Sequence, residues 1–484
     1  MVTLPSPAPA SASAAPSLLA VEPGGIEAIP PERRYGSPWQ LFTTWTAPNL
    51  EFATVFVGVI GVAFFGLDFW SAVLAIVIGN ALGSLTQGIL STWGPREGLA
   101  QLVLSRTAFG LRGNILPAGL NTVMAGLGWF ATNSVSGALA LSTLTSMPAW
   151  LALIIVVAVQ VILAFVGHGL VQWFERYATI VLGIIFLIAV VTIFLHVNVS
   201  APVKGHAFSF AGFTLTAAAA FGYAAGWNPY ASDYSRYLPK NSSRAAIGWA
   251  AGLGDFISCT VLMAAGAAVA LLPVFNADNP TAGFVAPMPV VIRDLTLIAI
   301  TIGAIAANAL NIYSGAMSFL AAGVKLNFSM RRAIVAVGFG AIGFLIALAA
   351  ILNSEFSEWY ENFLLVVAYW IAPWLGIVFV DRFLRRGTAI AEFIPESARY
   401  RNPSGLIAMV VGGAVSIWLF SNQTFYTGLV AQHAGIGDLT PLVGFLLAAV
   451  LYWLCFRILR PAVGGPLDTE PTVIIGVDAA DATA

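Results

Sequence analysis

Twelve predominantly apolar stretches, near residues 39–66, 69–92, 115–143, 149–167, 177–197, 210–231, 246–274, 294–322, 332–352, 359–381, 404–425 and 438–460, alternate with polar connections along this chain. Each comes close to the roughly 20 residues that an α-helix, rising about 1.5 Å per residue, needs to cross the hydrocarbon core of a bilayer. The pattern predicts an all-α polytopic membrane protein with twelve transmembrane helices. Two end segments fall outside it. Residues 1–35, beginning MVTLPSPAPASASAAPSLLA, are rich in Pro, Ala and Ser, cannot bury a core, and are expected to form a disordered tail. The acidic residues 462–484 are expected to be solvated in the same way. No basic segment leads into an apolar run at the N-terminus, so a cleaved signal peptide is not expected and the first span itself serves for insertion.

Charge gives this map an orientation. With the N-terminus inside, 19 of the 21 Lys and Arg residues fall on the inner side. They are Arg33 and Arg34, then Arg96, Arg106 and Arg112 after span 2, Arg176 after span 4, and Arg236, Lys240 and Arg244 after span 6. Lys325, Arg331 and Arg332 follow span 8, Arg382, Arg385, Arg386, Arg399 and Arg401 follow span 10, and Arg457 and Arg460 close the last span. Only Lys204 and Arg293 lie outside. By the positive-inside rule both termini are expected in the cytoplasm, and the protein in the plasma (cytoplasmic) membrane. Composition agrees: 59% hydrophobic and 9% charged residues, with a mean hydropathy of +0.87, exclude a soluble globule of this length. Cys259 and Cys455 both sit in apolar segments and imply neither a disulfide framework nor a metal site.

Two spans carry interruptions. Span 1 reads FTTWTAPNLEFATVFVGVIG, where Pro48 removes a backbone donor and Asn49 and Glu51 are polar at a depth that should be apolar. Span 6 reads AAAAFGYAAGWNPYASDYSRY, with Gly226, Trp227, Asn228 and Pro229 forming the same kind of break. Lipid cannot satisfy freed backbone groups, so breaks persist only where protein or a wet cavity surrounds them. Ordinary proline kinks would leave a similar trace. Two breaks five spans apart, each with a neighbouring Asn, instead suggest an inverted repeat of five helices with a binding site near the midplane. In span 3, GLGWFATNSVSG sets Trp129 and Asn133 four residues apart on one helical face: a flat ring for stacking beside an amide that both donates and accepts. Packing between helices is the plainer role for both. Asn308 and Asn311 in IAANALNIYSGAMS put two more amides mid-span in span 8, where they need partners.

These residues resemble the nucleobase-cation symporter-1 family, in particular its purine-cytosine permease branch. The resemblance runs from about Trp39 to Arg460 and rests on GWNPYASDYSRYLP in span 6, GWFATN in span 3, ALNIYSGAMS in span 8 and ARYRNPSG before span 11. It implies a LeuT-like five-plus-five inverted repeat with broken helices 1 and 6 plus two peripheral helices. The first repeat would span 36–200, the second 201–383 and the peripheral spans 384–461. It further implies import of a nucleobase such as cytosine, adenine, guanine or hypoxanthine by cation symport, with allantoin, hydantoins and B6- or thiamine-type heterocycles as alternatives. Trp129 matches the family's stacking aromatic, and Asn133 falls where relatives often carry Gln. The second stacking aromatic lands on Tyr223 or Ala224, of which only Tyr223 can stack, and the span 8 amide on Asn311 or Asn308. Sodium-coupled relatives place hydroxyls just before an Asn of span 8, where this chain has Ala306 and Ala307. Glu51, with Asn49 beside it in the break, is instead the expected carrier of a coupling proton, because an intramembrane acid is expensive when ionised. Asp255 in span 7 is a second relay candidate.

Other classes fit less well. An enzyme would cluster acids, His or Cys, whereas His168, His196, His206 and His433 are scattered toward span ends. A channel would carry a filter or charged ring. No cofactor, metal or nucleic acid is expected; the partners are a heterocyclic substrate, H⁺ or Na⁺, and lipid.

Overall fold

The computed structural model describes residues 25–461, apart from 167, 203–204, 274, 276–278, 325–327, 354–355, 387 and 390–399, together with 465–466. Lys204, Lys325, Glu355, Arg399 and most of the two expected tails lie outside the described residues, as do the side chains of Arg176, Arg331 and Arg332.

The apolar stretches are helical: α1 (Gln40–Thr46), α2 (Phe52–Val59), α3 (Phe69–Ser91), α4 (Ile115–Val123), α5 (Phe130–Thr145), α6 (Ala149–Val166), α7 (His168–His196), α8 (Phe210–Ala225), α9 (Ala231–Ser235), α10 (Arg244–Val269), α11 (Val290–Ala321), α12 (Phe328–Asn353), α13 (Phe356–Leu384), α14 (Pro403–Phe420) and α15 (Thr440–Leu459). Among the described residues the extended structure is a two-residue antiparallel pairing of Thr388–Ala389 with Gly465–Pro466 and one isolated bridge, Asn422 to Thr427. Among the described residues, eight helices are by themselves long and apolar enough to cross a membrane, and a ninth span is formed if α1 and α2, bent by 64°, count together. The other expected stretches are shorter apolar helices, Ala149–Leu163 and Val337–Asn353, and α8, which stops after 16 residues at the second interruption.

Helix α3 packs against both α8 and α10, and α10 also carries α1 and α2. A second group sets α5 on α6, α11 and α12, while α14 and α15 pack on each other and on α13. Between these groups every residue of α2 is buried. Its approach to α10 depends on glycine: a Cβ at Gly58 would lie 1.7 Å from the Met263 carbonyl oxygen, and one at Gly266 1.9 Å from that of Val55. Small residues provide this closeness in lipid, where packing rather than water exclusion holds helices together.

One end of the bundle is tied by buried polar groups. Arg385 pairs with Asp381 at 2.8 Å, and Asp381 also accepts from Tyr452 at 2.5 Å and Thr107 at 2.6 Å. Arg385 reaches Tyr400, and Asn402 bonds the Thr107 carbonyl at 3.1 Å and Tyr452 at 3.0 Å. This knot joins α13, α14 and α15 to the short helix Arg106–Gly113. Residues 25–35, within the expected tail, lie against the same end: Ile29 donates to the Gly98 carbonyl, Tyr35 to that of Tyr237, and Arg236 to that of Gly25. The packed chain therefore takes in part of that segment.

Removing one partner of a buried ion pair leaves the other charge uncompensated, at a cost of about 3–5 kcal/mol. Arg385→Met is expected to lower the apparent Tm of the detergent-purified protein well beyond the exposed control Arg457→Met, read by intrinsic fluorescence on heating.

Candidate functional site

At the first interruption the backbone opens. Helix α1 ends in a 3-10 turn, Ala47–Asn49, containing Pro48; Leu50 departs from helical geometry and Glu51 is extended at φ −155°, ψ 175°. Glu51 then caps α2, its carboxylate accepting from the amides of Ala53 at 2.8 Å and Thr54 at 3.2 Å. Those amides begin a helix and have no carbonyl of their own to meet. Two hydroxyls complete the shell: Ser136 of α5 donates at 3.2 Å and Tyr223 of α8 at 3.1 Å. Amides only donate, whereas hydroxyls rotate and accept as well. The shell thus satisfies an ionised carboxylate with four donors. It can also satisfy a protonated one if Tyr223 turns its hydrogen to Thr54, whose Oγ1 lies 2.5 Å away and itself donates to the Asn49 carbonyl at 2.6 Å.

Helix α11 lies against this opening because residue 303 is glycine; a Cβ there would sit 2.1 Å from the Leu50 carbonyl oxygen. Ala306 and Ala307, a turn further on, are buried and bring no side-chain oxygen. Asn49 is engaged at both ends of its amide. Its Nδ2 donates to the Trp45 carbonyl at 2.8 Å, Ser258 at 3.0 Å and Asp255 at 3.2 Å, and its Oδ1 accepts from the Trp227 indole at 2.9 Å. Asp255 also accepts from Ser84 at 2.8 Å, so this second carboxyl is one residue removed from the break rather than remote from it.

The second interruption tightens the backbone. Gly226 and Trp227 keep helical dihedrals, a 3-10 turn at Asn228–Tyr230 holds Pro229, and regular helix resumes at Ala231. Asn228 donates to Thr86 of α3 at 2.6 Å. Gly226 faces Trp129, whose ring a Cβ would meet at 2.9 Å. Trp129 itself closes a π-helical turn, Met124–Trp129, ahead of α5. Around it stand Tyr223, edge-on at 5.4 Å, Phe363, edge-on at 5.0 Å, and Trp227, nearly parallel at 13° with centroids 6.5 Å apart. A flat ring between two parallel faces needs about 3.5–4 Å on each side. The two indoles stand closer than two such gaps require and must therefore part to admit one.

Below the rings the amides converge. Asn308 is fully used, donating to the Phe130 carbonyl at 3.0 Å and Ser134 at 3.2 Å and accepting from Asn133 at 3.0 Å and Asn311 at 3.4 Å. Asn311 also accepts from Tyr230 at 3.5 Å. The Oδ1 of Asn133 is buried with no partner among the described residues. The structure thus brings Trp129, Asn133, Tyr223, Asn308, Asn311, Glu51 and Asn49 into one buried neighbourhood. Sequence reasoning counted Trp227 as part of the break alone, although a tryptophan far from the headgroup belt is the signal that singled out Trp129. Ser136, Thr54 and Phe363 gave no signal, since hydroxyls and phenylalanines are common in such spans.

A membrane-spanning helical bundle whose polar and aromatic groups meet inside, beside interrupted helices, has the architecture of a transporter. A family model described as permease for cytosine/purines, uracil, thiamine, allantoin matches residues 28–444, and the chain belongs to that family of permeases, not to a class of enzymes. It is 30% identical to the purine-cytosine permease fcyB of Emericella nidulans over 91% of this chain and 89% of that one. It is 29% identical to the putative purine-cytosine permease YxlA of Bacillus subtilis over 90% and 96% of the two chains. Its fold matches that of Mhp1, a nucleobase-cation-symport-1 family transporter solved in a closed conformation with bromovinylhydantoin bound. The TM-score is 0.72 at 19% identity, over 92% of this chain and 96% of that one.

Asn308 has the bonding of a strut rather than a reader. Asn308→Leu takes a partner from four buried groups, at a cost of about 1–3 kcal/mol for each left unsatisfied. It is expected to depress the apparent Tm more than Asn133→Leu, whose removal strands one; differential scanning fluorimetry of the two variants checks this.

Proposed function

We propose that this protein is a secondary active importer of a nucleobase, cytosine or a purine, driven by proton symport across the plasma membrane with both termini in the cytoplasm. In this reading the twelve helical stretches are twelve spans, with 36–200 and 201–383 as inverted repeats and 384–461 as peripheral spans. The observation that carries it is the double engagement of Tyr223: its ring stands against Trp129 while its hydroxyl donates to Glu51.

The base stacks between Trp129 and Trp227. Asn133 offers its unpaired oxygen to a ring N–H, and Asn311 reads the neighbouring edge. Stacking is insensitive to which base is present, so affinity comes from the indoles and selectivity from the amides. Parting the indoles shifts Tyr223, and Tyr223 decides how many donors face Glu51. Proton uptake and substrate entry then favour the same arrangement of the bundle, which is what coupling requires. Ala306 and Ala307 support the proton over sodium, because hard cations are held by oxygen ligands and these side chains have none. Rocking of the interrupted helices, together with α3 and α10, against the group of α5, α6, α11 and α12 would then open the site to the other face.

Purified protein in liposomes is expected to accumulate radiolabelled cytosine or hypoxanthine under an imposed proton gradient and not under a sodium gradient. Glu51→Gln, a neutral isostere, is expected to abolish proton-driven accumulation while retaining counterflow exchange of labelled for unlabelled base. Sodium-driven uptake would overturn the coupling assignment, and uptake of an allantoin, hydantoin or B6-type ring in place of a base would overturn the substrate. Trp227→Ala is expected to raise KM on the order of ten- to a hundredfold, the effect of losing one base–aromatic stack, and to lower Tm as well, since the buried indole also fills core space and bonds Asn49.

A further inference from the structure

Away from this site, a groove of about 470 Å³ runs along the lipid-facing side of α4. Leu116, Gly119, Leu120 and Val123 form its floor and Leu406 of α14 its far wall, and Arg112 stands at one end as its single charged residue. Gly119 opens the middle, since a Cβ there would meet nothing within 4 Å. The Arg112 side chain is exposed and makes no hydrogen bond or ion pair with the described residues. Arg401, also exposed, lies outside that lining but just before α14, its backbone against Gly110.

We propose that this groove binds one anionic phospholipid, with an acyl chain along α4 and its phosphate at Arg112 and Arg401. Charge and length together choose this occupant. From Ile115 to Val123 the groove follows roughly 12 Å of helix, most of the roughly 15 Å thickness of one leaflet's hydrocarbon. The arginines fall at the headgroup level of the same leaflet, where an anionic headgroup meets guanidinium in paired N–H···O geometry. An apolar groove facing lipid has acyl chains as its standing neighbours, and the cation at its end selects among their headgroups. The proposal does not depend on the transported substrate or on its coupling ion.

The test is native mass spectrometry of the full-length protein in micelles doped with equal phosphatidylglycerol and phosphatidylcholine, beside mass photometry of the same samples. The wild type is expected to retain one phosphatidylglycerol in preference to phosphatidylcholine, by about fivefold for each arginine engaged. Arg112→Gln is expected to bring that preference down about fivefold without changing Tm, and Gly119→Leu, which fills the groove, to reduce retention of both lipids. Equal retention of the two lipids by the wild type, or a preference untouched by Arg112→Gln, would overturn the proposal. So would a wild-type dimer that Gly119→Leu converts to monomer, because the groove would then hold a second copy of the chain.

Discussion

Hydrocarbon offers no partner to a free backbone amide, and the opening between α1 and α2 exists only because Glu51 supplies one. Its carboxylate meets the first amides of α2 at Ala53 and Thr54. A helix start that would otherwise need water can therefore stand in a fully buried position. Around this cap the rest of the centre is arranged. Ser136 from α5 and Tyr223 from α8 finish the carboxylate's shell, Gly303 lets α11 lie on the opening, and Asn49 fixes its other lip to α10 through Ser258 and Asp255. One capping residue thus ties α2 to α5 and α8, and the glycine and the amide beside it bring in α11 and α10.

The two interruptions differ in kind, and the difference suits different tasks. The first is open and polar, with a carboxyl surrounded by groups of which two can reverse their hydrogen bonds. The second stays helical but tightened, and what it displays is a ring: Gly226 has no side chain, so Trp129 can lie across the turn with Trp227 parallel to it. Tyr223 touches both. A bundle built this way can link a change of charge at one interruption to a change of ring spacing at the other without a long chain of intermediaries.

The arginines at the ends of the helices have been put to several uses. Arg106 caps the last turn of α11 through the carbonyls of Leu320 and Ala321, Arg385 neutralises Asp381 in the knot beneath α14 and α15, and Arg236 donates to the Gly25 carbonyl. Cations at helix C-termini also meet the negative end of the helix dipole. Arg112 and Arg401 are left exposed.

The helices were legible in the sequence because lipid imposes one requirement on every span, a long apolar run, and the runs near 39–66 through 438–460 state it directly. The breaks were legible for the same reason in reverse: Pro48, Glu51, Gly226 and Pro229 violate that requirement. Unusual residue types at mid-span were visible too, as at Trp129, Asn133 and Glu51. What the sequence could not supply was direction. Whether Asn308 or Asn311 turns to its neighbours or to open space depends on which residues of α5 face α11. That Asp255 meets Asn49 depends on how α10 lies against α1, 206 residues away in the chain. Trp227 is a helix breaker's neighbour in sequence and a parallel face to Trp129 only in three dimensions. Apolar length and polar exceptions are local properties of a chain, whereas hydrogen-bond partnership and ring spacing are set by packing between distant helices, and only the tertiary structure decides them.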